Sequence, residues 1–420
     1  HWMVHSFPTR RSSDLVPRVG IRVGRVHRRP GVDLLYRLNR FALYTLLLSY
    51  VPLVIGVAAG TLVALFYLDR YLIRALFAGE GPSALAVIAA GAASLVGLVF
   101  AGLCLFGLLP LFFRRVDEPP HGLRLNAREN PKLFALLERI AKRLGIAVPD
   151  QCLIGPTAQA SVADLSLETR RGGPNRERVL ILGAGLIVHM SVAEITTILC
   201  HEMVHAATGD TRLGRLAERF LHSLFYQIHH CLPSREADDP DWPSKFLLIL
   251  LLAYLRLYEL LYAADSGYRE LRADRVAAEV CGPQNVRNML VKLGLVIYVP
   301  ELSIEALLEH YVADQRDIHN LYQEHRRRWA ELTAARREAA ETAMFLRPTS
   351  RWDSHPSFSD RIRNLADIEA RELVADQPAT SLFRAWEGIE ERMTAGIMDW
   401  GRWAFQNYLR ELDWAVRLGR

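Results

Sequence analysis

His201-Glu202-Met203-Val204-His205 sets two imidazoles four residues apart with a carboxylate between them. On a helix, residues at that spacing project from one face, so both rings can grip one zinc ion while Glu202 lies beside it, where a general base is needed. Ser191-Val192-Ala193-Glu194 reads as a capping box that starts such a helix. Val192, Ile195, Leu199 and Met203 recur at helical spacing on the side away from the histidines, so one face packs while the other holds metal. Gly209-Asp210 supplies the stop.

Two imidazoles leave a zinc site incomplete, because a catalytic zinc takes a third protein ligand and keeps one position open. Glu270 and Asp274, in the segment Tyr268 to Asp274, share one face of a second predicted helix that ends at Gly282-Pro283. Glu270 is the candidate third ligand, and Asp274 would then orient a ligand histidine through its free ring nitrogen. For that helix taken alone, the commoner arrangement is a pair of solvated carboxylates neutralised by Arg269, Arg272 and Arg275. Cys104, Cys152, Cys200, Cys231 and Cys281 are scattered, odd in number and without a C-x-x-C pair, which argues against a disulfide framework and against a cysteine zinc site. Cys200 adjoins His201 but diverges from it by about 100° on a helix, so it reads as packing.

The order His201-Glu202-x-x-His205 with Gly209-Asp210, then Arg269-Glu270-x-x-Ala273-Asp274, then His355-Pro356-Ser357 with Arg361-Ile362, resembles a family of zinc endopeptidases. That family includes the HtpX-like bacterial membrane proteases and the CAAX-prenyl endopeptidases. The resemblance runs from about Pro131 to Leu365 and rests on three separated motifs. It implies one zinc ion per chain on His201, His205 and Glu270, Glu202 as the base, and His355 near the cleft, steadying the oxyanion. It also implies misfolded or damaged membrane proteins as substrates. Gln159-Ala160 stands where relatives commonly show Asn-Ala before the catalytic helix.

In this chain of 420 residues, 50% are hydrophobic. Phe41 to Leu68 and Pro82 to Phe113 contain no Asp, Glu, Lys or Arg, and each exceeds the roughly 20 residues that cross a bilayer as a helix. Gly56, Gly60, Gly91, Gly97, Gly102 and Gly107 fit close helix packing in lipid. Arg18, Arg22, Arg25, Arg28, Arg29, Arg37 and Arg40 precede the first span, and Arg114, Arg115, Arg124, Arg128 and Lys132 follow the second, while the loop between has only Arg70 and Arg74. The positive-inside rule therefore puts the N-terminus and the zinc domain in the cytoplasm. With the resemblance, this gives a multi-pass protein of a bacterial inner membrane. The net charge of +5 is explained by arginines flanking the membrane and calls for no nucleic acid. Residues 1–15 resemble the translation of a sequencing adapter and are left out of the fold reading.

The expected fold is mainly α with a small β-sheet, an α+β zincin-like metalloprotease domain, preceded by a transmembrane helical hairpin. Residues 16–40 form a basic segment, 41–113 the hairpin, 114–300 the metalloprotease core, and 301–420 a helical part that completes the core with the His355 motif. Asn130 to Leu144 reads as an amphipathic helix closed by Gly145, with strands at Gln151 to Ile154 and Val179 to Leu182 separated by a polar turn region at Glu168 to Arg178. An extended substrate can add to the exposed edge of such a sheet. Phe246 to Ala264 is long enough for a third span, yet a single crossing between His205 and Glu270 would put the ligands on opposite sides of the bilayer. Its only partner, Leu216 to Leu232, carries Glu218, Arg219, His222, His229 and His230, so the two are expected to pack on the catalytic domain or graze the bilayer. Glu324 to Thr342 reads as one long charged helix, His310, His319 and His325 as surface or packing residues, and the tail with Trp386, Trp400, Trp403 and Trp414 as packing or docking at the membrane.

The function that follows is a membrane-bound zinc endopeptidase acting on polypeptides at the cytoplasmic face in membrane protein quality control. Two alternatives stay open: a membrane sensor or scaffold with a non-catalytic zincin fold, and a dedicated CAAX-type processing protease.

Overall fold

The computed structural model describes residues 30–78, 83–106, 108, 122–168, 174–208, 216–217, 220–221, 223–228, 242–299, 302–303, 306–307, 311, 314, 318–369 and 377–399. Residues 1–15, Gly107, Gly209, Asp210, His222, His229, His230, Cys231, His310, Trp400, Trp403 and Trp414 lie outside them. The chain is mostly helical and divides into two compact units.

One unit comprises Arg29–Arg115 and Arg212–Ser266. The charge-free runs fold as α1 (Pro30–Phe77) and α2 (Ala84–Phe106), which pack on each other. Of the glycines expected at that contact, Gly97 lies against Leu65, whereas Gly56, Gly60, Gly91 and Gly102 have nothing near the place of a Cβ. Helical residues within 216–228 join this unit. Phe220, Leu224, Leu251 and Tyr258 bury themselves with Leu43, Leu47 and Tyr50, and Tyr254 donates to the Leu46 carbonyl. Of the two expectations for these segments, packing on the catalytic domain or grazing the bilayer, the first is corrected: apolar faces bury against the nearest apolar faces, and here those belong to the hairpin. Three stretches, Leu34–Phe77, Ala84–Phe106 and Leu247–Cys281, are long and apolar enough to cross a membrane.

The other unit holds Val116–Thr211 and Gly267–Arg420. Its sheet has the order β1-β2-β4-β3, with β1 at Leu123–Arg124, β2 at Gln151–Gly155, β3 at Ala160–Glu168 and β4 at Pro174–Gly183. Strands β2 and β4 run parallel, and the other pairs are antiparallel. The first half of β4 lies in what reads in the sequence as turn, and β3, to which the sequence reading assigns no element, ends at the start of that region. Their residues mix Ala, Ser, Asp and Arg with Val and Leu; the ladder between the two strands, with Ala160 and Val162 packed against the core, holds them, helped by Arg178 Nε donating to Asp164 Oδ1 at 3.0 Å. Helix α3 (Pro131–Leu144) buries Leu133, Leu137 and Ile140 and ends on Gly145 at φ 69°, as its sequence indicates.

Helix α4 (Val192–Ala207) packs against α3, β3 and α6 (Pro283–Tyr298). Between them in sequence runs α5 (Trp242–Cys281), one helix of 40 residues in place of the two separate ones expected. Gly267 does not break it, since one interior glycine costs only about 1 kcal/mol. Beyond α6, the charged stretch is two helices, α7 (Leu321–Glu331) and α8 (Ala334–Leu346), because Leu332 is extended and Thr333 caps the second through the Arg336 N–H. His325 is fully buried: its Nδ1 meets His189 Nε2 at 2.7 Å, while His189 stacks on Trp329. Burial, His325 and Lys292 push the His189 pKa down to about 2. Arg326, Asn320 and Trp386 all donate to the buried Glu390, which ties the C-terminal helix at 386–399 to α7.

Candidate metal centre and active site

The residues that matter sit on α4, on the last part of α5, and on α9 (Phe358–Arg363) with the loop before it. Ser191 accepts from the Glu194 N–H, the Glu194 carboxylate accepts from the Ser191 N–H, and Lys292 holds that carboxylate at 2.7 Å, so the start of α4 is fixed. Val192, Ile195, Leu199 and Met203 are buried, leaving the opposite face for His201 and His205. The Nε2 atoms of the two rings stand 3.2 Å apart.

Glu270 meets both rings. Its Oε2 lies 3.4 Å from His201 Nε2 and its Oε1 lies 3.2 Å from His205 Nε2. One donor atom from each of the three residues falls within 4.8 Å of the other two. Donors about 2.0–2.1 Å from a tetrahedral ion stand about 3.3 Å apart, so the spacing fits a metal of that size. Arg269, Arg272 and Arg275 do not turn Glu270 and Asp274 into solvated charges. Both carboxylates are buried, and Arg275 binds Asp367 instead.

Asp274 is fully buried, with Oδ1 3.0 Å from His201 Nδ1. Arg361, on α9, donates to both of its oxygens at 2.7 Å and reaches Glu270 Oε2 at 3.5 Å. The fork geometry of a guanidinium suits this bidentate grip, and the paired carboxylates keep Arg361 charged despite its burial. Arg361 appears in the sequence only as part of a motif, and nothing in its spacing signals the contact with Asp274. A buried cation must find a partner, but the partner lies 87 positions away.

Burial raises the Glu202 carboxyl above its ordinary value, although His201 and His205 pull it down. His355 brings Nδ1 to 3.4 Å from Glu270 Oε2 and is otherwise exposed to solvent. Gln159 is exposed just before β3, and the Gly183 N–H donates to its carbonyl at 2.6 Å.

Residues 128–369 match Peptidase family M48. The chain belongs to this family. Among its relatives is a protein named Protease HtpX homolog from Moorella thermoacetica, 27% identical over 249 residues that cover 57% of this chain and 79% of that one. Another Protease HtpX homolog, from Gemmatimonas aurantiaca, is 25% identical over 172 residues, and Protease HtpX from Stenotrophomonas maltophilia is 26% identical over 175. The chain spans 59% and 58% of the length of those two. No solved structure matches significantly. Membership in M48 implies a metalloprotease and a metal ion, and the HtpX-named relatives together with the three apolar stretches support its association with a membrane.

Proposed function

We propose that this M48 member is a zinc endopeptidase that cuts polypeptides at the cytoplasmic face of a bacterial inner membrane. The observation that carries the reading is the convergence of His201, His205 and Glu270 at metal-binding spacing with the Glu202 carboxyl between the imidazoles in sequence. A set of two nitrogens and one carboxylate leaves the fourth position free and matches catalytic zinc. When bound, the ion supplies Lewis acidity that polarises a scissile carbonyl and lowers the pKa of water.

The chain's own groups do the rest. Glu202, its pKa raised by burial toward the working range of a base, takes a proton from water and returns it to the leaving amine. Asp274, held by Arg361, stands 3.0 Å from His201 Nδ1 and favours the tautomer with the proton there, which leaves Nε2 free to bind metal. His355, exposed beside Glu270, donates to the developing oxyanion. Strand β3 is an edge of the sheet and offers unpaired backbone groups to an extended substrate.

His201, His205 and Glu270 share one site, so the chain between residues 205 and 270 crosses a bilayer an even number of times or not at all. Packing of 216–228 with 247–258 favours a second hairpin. Two hairpins keep the catalytic unit on the side of the basic N-terminal segment, which is the cytoplasmic side. Membrane proteins that have lost their fold are the natural substrates of an enzyme so anchored. Purified protein should degrade unfolded casein, and Glu202→Gln should cut the rate at least ~100-fold with one equivalent of zinc retained. Zinc bound without hydrolysis of any polypeptide by the wild type would instead favour a scaffold.

A further inference from the structure

Two thiols sit on the helices that carry the metal cluster, and peptide hydrolysis calls on neither. Cys200, the residue before His201 on α4, is fully buried, whereas Cys281, the last residue of α5, is partly exposed. Both belong to the catalytic unit. Cys281 packs against the core cluster that includes Cys200, Val204, Ala277 and Ala278, and the two thiols share a hydrogen bond.

The helix repeat explains their meeting. Cys281 follows Glu270 by eleven residues and Asp274 by seven, and at about 100° per residue both offsets return to within about 20° of one face. The face of α5 that brings Glu270 to 3.4 Å and Asp274 to 3.0 Å from His201 therefore also brings a thiol to the neighbouring residue of α4. A cysteine kept only as a small apolar filler needs neither a second thiol in contact nor an opening to solvent. This pair has both.

We propose that Cys200 and Cys281 form a redox switch on the metal centre, closed to a disulfide by peroxide. Hydrogen peroxide passes one oxygen to the partly exposed Cys281 sulfur and leaves as water, giving a sulfenic acid. The Cys200 sulfur then attacks the Cys281 sulfur, and the hydroxyl leaves with the Cys200 proton as a second water. Two thiols and one peroxide become one disulfide and two waters. Such a bond suits a reducing cytoplasm, where disulfides are transient and redox-sensing.

Closure draws the two sulfurs to about 2.05 Å. The cluster that holds Cys200 is closely filled, with Leu199, Val204, Ala273, Val276 and Ala277 fully buried, so the shift passes to the backbone and to His201 beside it. Misplacing a reacting group by about 1 Å can cost about 100-fold in rate. Oxidised protein therefore loses its grip on zinc and its turnover. Formation of the link is independent of the peptidase reading, and its effect on turnover rests on that reading.

The test uses the full chain loaded with zinc and treated with ~1 mM hydrogen peroxide. Non-reducing peptide mapping should find the Cys200 and Cys281 fragments joined, with a mass about 2 Da below the sum of their thiol forms. Zinc affinity and casein hydrolysis should each fall at least ~10-fold and return after reduction with a phosphine. Cys281→Ser should keep zinc and activity with or without peroxide, and Cys281→Ala repeats that control without a hydroxyl. Oxidation that stops at a sulfenic or sulfinic acid on Cys281 overturns the switch. So does a link that leaves zinc affinity unchanged, or an equal loss in Cys281→Ser. A link that weakens zinc in a protein that cleaves no polypeptide leaves the switch standing and faults the peptidase reading.

Discussion

Burial alone would lower the pKa of His201, but Asp274 and Glu270 on its two nitrogens more than offset this and carry it up to about 10. Metal-free protein thus holds an imidazolium at neutral pH. A pKa raised above the unfolded value near 6.5 stabilises the fold fully below that value, and the stabilisation is lost as pH climbs through about 10. Metal needs the neutral ring, so its binding releases a proton and its apparent affinity strengthens over the same window. Chelated protein should lose melting temperature between neutral pH and pH ~10 while zinc titrations grow tighter; a zinc affinity that does not vary with pH would contradict this. Asp274→Asn should weaken zinc roughly 10–100-fold without moving the backbone. Arg361→Leu strands a buried carboxylate and should cost about 3–5 kcal/mol in denaturant unfolding. Lysine cannot restore it, since a point charge does not span both oxygens.

Helix α4 declares itself in the sequence because a capping box, a periodic apolar face and two histidines agree on one register. Ser191→Ala should therefore cost about 1 kcal/mol. Gly183 was silent in the sequence. In the fold, a Cβ there would come 1.9 Å from the Thr157 carbonyl oxygen, so Gly183→Ala should destabilise by about 1–3 kcal/mol or more and loosen the turn before β3. Strand β3 was illegible for a related reason: its stability lies largely in the β4 ladder, which side-chain pattern does not record. The break at Leu332-Thr333 was hidden by charge on both sides, and only the Thr333 hydroxyl on the Arg336 N–H reveals a new helix start. His201 and His205 stood out as candidate ligands by type and spacing, whereas Glu270 stood out from an ordinary helix charge only through the three-motif resemblance. The contact of Arg361 with Asp274 was not legible, because a long-range ion pair leaves no local trace.

At the scale of the molecule, the two charge-free runs were plain to read, and the fate of 212–266 was not, since Leu216 to Leu232 is charged and the apolar run Phe246 to Ala264 is interrupted by Arg256 and Glu259. They pair with each other at 2.9 Å, which lowers the cost of placing them near lipid. A topology reporter inserted after Ala78 should signal from outside the cell and one after Glu331 from inside; the opposite pattern would move the catalytic unit across the membrane. Because the site draws on His201 and His205 before that insert and on Glu270 and Arg361 after it, the ribosome must finish threading the whole hydrophobic insert before the carboxylate and its guanidinium counter-ion even exist. On the proposed function, a nascent chain thus lacks part of its donor set, and so its hydrolytic power, until that insert has been synthesised.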